Sequence, residues 1–182
     1  MPPGEGLGRR TMPRRIIDVP IESLPFIDEH YIEIAASPEQ VWDALLHVMG
    51  GVGDGRSGRP VARALRCAQT EAEGEAGEIG STIPGFVVTR SIRPALLALM
   101  GQHRFSRYAL IFSIVEKPSG IVVLGAQTRA VFPGRRGRIY RGLVIGTRGH
   151  VVVTRSILRS VRKHAERARG RPQQPDQPGE HG

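Results

Sequence analysis

Tyr108 and Thr128 sit in alternating runs of apolar residues, and Tyr140 and Thr147 in a run with helical spacing. Each shares a face with its element's apolar side chains. A hydroxyl on such a face offers one donor and two acceptor sites inside an apolar interior, which is how a small molecule is oriented there. Tyr108 is thus a candidate donor or acid; the other reading is a core tyrosine whose hydroxyl reaches the surface. Arg90 joins this set only if its strand presents Phe86, Val88 and Ile92 inward. A buried cation without a partner is very costly, so an inward Arg90 implies an acidic or enolate ligand or a salt bridge. Otherwise it lies at the rim or outside. His103, beside Arg104 at a strand start, could reach the mouth of the same interior.

Other constellations are excluded. His30, His47, His103, His150, His164 and His181 show no metal-site spacing on a recognisable element, and order alone yields no Ser-His-Asp or Cys-His set. The single cysteine, Cys67, excludes an internal disulfide and a thiolate zinc site; it reads as a small buried hydrophobe. Gly50 to Gly58, GGVGDGRSG, follows a helix rather than a strand and lacks the Lys-Ser/Thr pair that grips phosphate, so it is read as a loop. No metal and no cofactor is expected.

The elements that must position these residues follow from periodicity. Phe26 to Ala36 alternates, with Ile32, Ile34 and Ala36 on one side and Glu29, Tyr31 and Glu33 on the other, as a half-buried strand does. Ser37 is an N-cap, Pro38 the first helical residue and Gln40 the partner in a capping box. The helix buries Val41, Trp42, Leu45 and Val48 and ends at Gly50-Gly51. A short second helix is expected over Pro60–Gln69, then an acidic link over Glu71–Glu78. Phe86–Arg93, Ala95–Gly101, Phe105–Lys117 and Ile121–Phe132 read as four strands of an antiparallel meander, parted by Pro94, Gly101-Gln102 and Pro118-Ser119-Gly120. Tyr108, Leu110, Phe112 and Ile114 share one face; Val122, Leu124, Ala126, Thr128 and Ala130 share another.

Gly134 to Arg167 reads as one long helix, with a break possible near Gly149. Its apolar face carries Tyr140, Val144, Val151, Leu158 and Val161, widened by Leu143, Val153 and Ile157. Gly142, Gly146 and Gly149 each weaken it by roughly 1 kcal/mol against alanine. Close packing against a sheet, or room left for a ligand, would explain them. Residues 1–20 and 168–182 are rich in Pro, Gly and Arg or Gln and are expected to be disordered, leaving one domain over 21–167.

The net charge of +9 is uneven. Residues 134–172 hold twelve basic residues against one acid, whereas residues 1–133 hold fourteen of each sign. Arg141, Arg148, Arg155 and Arg162 recur every seven residues on one helix face and could meet an anionic membrane or another polyanion. All but two of the 26 basic residues are arginine, which fits a GC-rich codon bias and a solvated face equally well. No run reaches the 18 or so apolar residues of a membrane span, and the N-terminus lacks the apolar core of a secretory signal. A cytoplasmic location is expected.

The order of strand, helix, antiparallel strands and long C-terminal helix resembles the helix-grip fold of the START-related and polyketide cyclase superfamily, an α+β class. YIEIAASPEQVWDAL is similar to that superfamily's opening strand and helix, and GFVVTRSIRPALLAL to its paired middle strands. HRFSRYALIFSI and TRAVFPGRRGRIYRGLVIGTRGH are similar to an actinobacterial subgroup. The resemblance spans roughly residues 26–166. It implies a curved antiparallel sheet around the long helix, with an apolar cavity between them for a lipid, polyketide-like or isoprenoid molecule. Mapped onto that arrangement, the residues facing the ligand are Trp42, Phe86, Val88, Tyr108, Phe112, Leu124, Thr128, Tyr140, Leu143, Thr147 and Val151. The alternatives are a cyclase or dehydratase acting through Tyr108, Arg90, Thr128 or His103, and a polyanion-binding module acting through the arginine face. Monomer and homodimer both remain open.

Overall fold

The protein is described here from a computed structural model, over residues 20–54, 73–75, 77–83, 85–103, 106–134 and 149–170. Six strands form one antiparallel sheet: β1 (Phe26–Ile34), β2 (Thr82–Ile83), β3 (Phe86–Ile92), β4 (Leu96–His103), β5 (Ser106–Glu116) and β6 (Val122–Val131). Their order is β1-β6-β5-β4-β3-β2. Among the described residues two helices, α1 (Pro38–Asp54) and α2 (Gly149–Arg169), pack on one face of it. This is the helix-grip arrangement expected from the sequence. The four meander strands lie within a residue or two of their expected limits.

Alternation decides what each face carries. Ile34, Val88, Leu97, Leu99, Leu110, Phe112, Ile114, Val122, Leu124 and Ala126 point to the inner face and form one core with Val41, Trp42, Leu45 and Met49 of α1. Leu158, Val161 and Ala165 of α2 close it. With Thr154 they lie at the i, i+4, i+7, i+11 spacing of a single helix face. The outer face has its own smaller core, in which Ile21 and Leu24 of a short 3-10 turn cover Val87, Ala98, Met100 and Ala109. The chain preceding β1 thus lines the back of the sheet and leaves the inner face to the helices.

The capping box at α1 is present as expected. Gln40 N donates to Ser37 Oγ at 3.3 Å, and Ser37 N donates to Gln40 Oε1 at 3.0 Å. The far end of α1 differs: Gly50 and Gly51 do not stop it, and it runs on to Asp54. A glycine stop needs a left-handed backbone, and neither residue has a positive φ. Arg93, in the β3–β4 turn, donates to Glu39 Oε2 at 2.8 Å and Asp43 Oδ1 at 3.1 Å. The bond to Glu39 raises its already high pKa. The C-terminal end of α2 is tied to the chain just before α1 by Arg169, whose Nη1 donates to Ala35 O at 2.9 Å.

Two further expectations are corrected. The first strand ends at Ile34 rather than Ala36, where the backbone turns into the cap of α1. Val153 does not widen the apolar face of α2; it is exposed, as is Val152, because the buried stripe passes through Thr154 instead. The expected helix over Pro60–Gln69 and the part of the long helix before Gly149, apart from Gly134, lie outside the described residues. So do the terminal segments 1–19 and 171–182. No described helix is long and apolar enough to cross a membrane.

Candidate functional site

Strand register lines up one row of side chains across the whole inner face. Asp28 is opposite Thr128, Thr128 opposite Leu110, Leu110 opposite Leu99, and Leu99 opposite Val88. Adjacent strands are about 4.8 Å apart, so the row from β1 to β3 runs on the order of 19 Å. Its two ends differ in chemistry.

At the β3 end lies a cavity of about 220 Å³. Val88, Leu97, Leu99 and Ile83 form its sheet wall, and Leu46 and Met49 of α1 its roof. Ser81 and Thr82 stand at its margin. The two hydroxyls there are engaged: Ser81 Oγ donates to Glu78 O at 2.7 Å, and Thr82 Oγ1 accepts from Glu73 N at 3.0 Å. The cavity is mostly apolar, with polar surface along the side formed by Gly50, Gly74, Gly77, Ser81 and Thr82. Native interiors hold few voids larger than a water molecule, so a space of this size beside well-packed leucines is a feature in its own right.

At the β1 end lies a polar cluster that the periodicity argument did not single out. Asp28 Oδ2 accepts a hydrogen bond at 2.7 Å from Nε2 of His150, in the first turn of α2. His30 Nε2 approaches the same oxygen at 3.3 Å, within ion-pair distance but without hydrogen-bond geometry. Three polar atoms here are buried without a hydrogen-bond partner among the described residues: Asp28 Oδ1, His30 Nε2 and Thr128 Oγ1. Two grooves beside β1, of about 490 and 510 Å³, share His30 and Arg155 among their walls. The signal for this cluster lay in the alternation of β1: the phase that puts Ile32 and Ile34 inside also puts Asp28 and His30 inside. Among the described residues no group of three or more His, Cys, Asp or Glu has an arrangement that could hold a metal ion.

The residues expected at the site scatter over this frame. Val88 lines the apolar cavity, and Thr128 stands in the row at the polar end. Trp42, Phe112 and Leu124 are buried in the packed core between the two ends. Val151 lines a groove beside Asp28 and His150. Phe86 packs edge-on against Tyr108, their ring centroids 5.2 Å apart. Tyr140, Leu143, Thr147, Arg141 and Arg148 lie outside the described residues, as does the side chain of His103. Arg155 and Arg162 are exposed on α2, and Arg155 also borders both grooves.

Two candidates are assigned other roles by their geometry. Arg90 does not face inward. The register of β3 shifts between Val88 and Arg90, so Val88 opposes the inner residue Leu99 while Arg90 opposes the outer residue Ala98. A bulge of one residue reverses which face the following side chains take. Arg90 and Ile92 are thereby outside, and Arg90 meets Glu22 at 3.3 Å on the back of the sheet. Tyr108 does face inward, but its hydroxyl donates to Gly85 O at 2.8 Å. It fastens the β2–β3 turn to β5. Tyr108→Phe should therefore cost about 1 kcal/mol of stability, the usual net worth of such a bond, as read from chemical denaturation. It should leave ligand affinity unchanged.

No family model and no curated protein matches this chain. Among solved structures it is similar to truncated norcoclaurine synthase from Thalictrum flavum, at 13% identity and a TM-score of 0.49, over 78% of this chain and 95% of that one. It is similar to the Aha1 dimer from Colwellia psychrerythraea, at 19% identity and a TM-score of 0.47, over 76% and 94%. CalU16 from Micromonospora echinospora aligns over 78% of this chain and 85% of its own, at 11% identity and a TM-score of 0.39.

Proposed function

We propose that the protein binds a small, predominantly apolar molecule on the inner face of its sheet. The observation that carries this reading is the cavity of about 220 Å³ walled by Val88, Leu97, Leu99 and Ile83 and roofed by Leu46 and Met49. Ligand pockets commonly measure about 300–1,000 Å³. The cavity therefore suits a small molecule or one segment of a longer one that continues along the inner face. Apolar walls supply affinity through burial, at about 25 cal/mol per Å² removed from water, and supply little orientation.

Calorimetric titration of the full chain with 1-methoxydecane, an apolar chain with no hydrogen-bond donor, tests this. Saturable binding at one site per chain, with a negative heat-capacity change, is the expected result. Absence of binding across the accessible temperature range would overturn the reading.

A further inference from the structure

The polar end of the row demands something that the apolar cavity does not. Asp28 Oδ2 is occupied by His150, but Oδ1 of the same carboxyl group is buried without a partner among the described residues. So is the hydroxyl of Thr128, directly opposite Asp28 in the register, and so is Nε2 of His30, two residues along β1. An ionised carboxylate only accepts; a hydroxyl gives one proton and accepts others; an imidazole nitrogen does one or the other according to its tautomer. Buried polar atoms in native proteins are nearly always paired, and an exception calls for an explanation. These three atoms lie together on one face of two paired strands, as a set that a single group able both to donate and to accept would satisfy.

The chemistry of that group follows from the set. It must donate, because Asp28 Oδ1 can only accept when ionised. It must also accept, because the Thr128 hydroxyl has a proton to give. Charge narrows it further. A second carboxylate would stand against Asp28, and a cation would stand beside Arg155, which borders both adjoining grooves. A neutral hydroxyl meets every requirement.

Resting on the binding function proposed above, we infer that Asp28, Thr128 and His30 form the anchor for the hydroxyl of an otherwise apolar alcohol. His150 positions Asp28 by holding its other oxygen. The ligand hydroxyl donates to Asp28 Oδ1 and accepts from Thr128 Oγ1, and the apolar remainder runs toward Leu110, Leu99 and Val88, where the side chains of the packed core must part to admit it. From Thr128 to Val88 is three strand spacings, about 14 Å, which suits a chain of roughly ten carbons or a fused ring system of similar length.

The test compares 1-decanol with 1-methoxydecane, which keeps the chain and oxygen but lacks the donor, by calorimetry on the full chain. The wild type should prefer 1-decanol by about tenfold, the worth of one well-made buried hydrogen bond. Thr128→Val, nearly isosteric, removes the donor that the oxygen of either probe accepts, so it should weaken both probes by at least about threefold, and Thr128→Ser should restore both. Without ligand, Thr128→Val should melt no lower than the wild type, because it removes a hydroxyl that has no partner among the described residues. Asp28→Leu, if folded, removes the acceptor that only the alcohol can use and should abolish the preference. Equal wild-type affinity for the two probes would overturn the anchor and leave the apolar binding function standing. Binding of neither probe would overturn both. Unchanged affinity for both probes in Thr128→Val would remove Thr128, and with it the anchor, from the site.

Discussion

Phenylalanine in place of Val88 should lower the affinity for 1-methoxydecane by about thirtyfold or more, on the order of 2 kcal/mol, with little change in stability. Val88 is 2% exposed and forms part of the cavity's sheet wall. The extra ring atoms project into empty space, so they fill it rather than strain a packed neighbourhood. Overpacking typically costs about 1–3 kcal/mol where no space exists. The same change at Val122 supplies the contrast. Val122 is fully buried at the start of β6 and borders no described cavity. Val122→Phe should therefore destabilise the protein within that range and leave the affinity of the remaining folded protein untouched. Calorimetry and thermal melts on the two variants separate the effects. Unaltered binding by Val88→Phe would place the ligand elsewhere.

Alanine at Gly101 should be among the most damaging single-atom additions in the described fold. A Cβ there would lie 2.1 Å from the carbonyl oxygen of Gly85 and about 2.4 Å from the ring of Tyr108. Gly101 is paired with Tyr108 across β4 and β5, and the ring lies over it. The ring could tilt away, but the oxygen belongs to backbone that itself accepts the Tyr108 hydroxyl. Relief would require moving the β2–β3 turn. We expect a loss of at least about 3 kcal/mol, seen as a fall in melting temperature of roughly 10 °C or more for a domain of this size. Combining it with Tyr108→Ala should not restore stability, because the Gly85 carbonyl remains. Full rescue by that second change would show that the ring, and not the backbone, sets the limit.

The sequence made the architecture legible because two signals agreed: strict alternation in β5 and β6, and the Ser37–Gln40 box that starts α1. Both rest on local chemistry that tertiary contacts did not need to override. Alternation alone left Arg90 open between the inner face and the outside, because its strand carries a bulge at Thr89. Such a shift leaves no mark in residue types, since Val-Val-Thr-Arg suits either phase. Gly50 and Gly51 marked a stop that the helix does not make, because a glycine permits a left-handed turn without requiring one. The polar cluster was half legible. The pattern that turned Ile32 and Ile34 inward also turned His30 and Asp28 inward. What could not be read was that β1 pairs with β6, which brings Asp28 opposite Thr128, and that the first turn of α2 brings His150 to the same carboxylate. Those are contacts across about 100 and 122 residues of chain, set by topology rather than by spacing.

The central claim is that an apolar molecule occupies the inner face beside β3 and β4. The most direct measurement is a titration of methyl-labelled protein with 1-methoxydecane, followed by two-dimensional carbon–proton NMR. Saturable shifts in the methyl resonances of Val88, Leu97 and Leu99, with Val115 and Ile92 on the exposed outer side unmoved, are the result this account requires. Shifts confined to exposed methyls such as Val115, Val152 and Val153, or none at all, would contradict it.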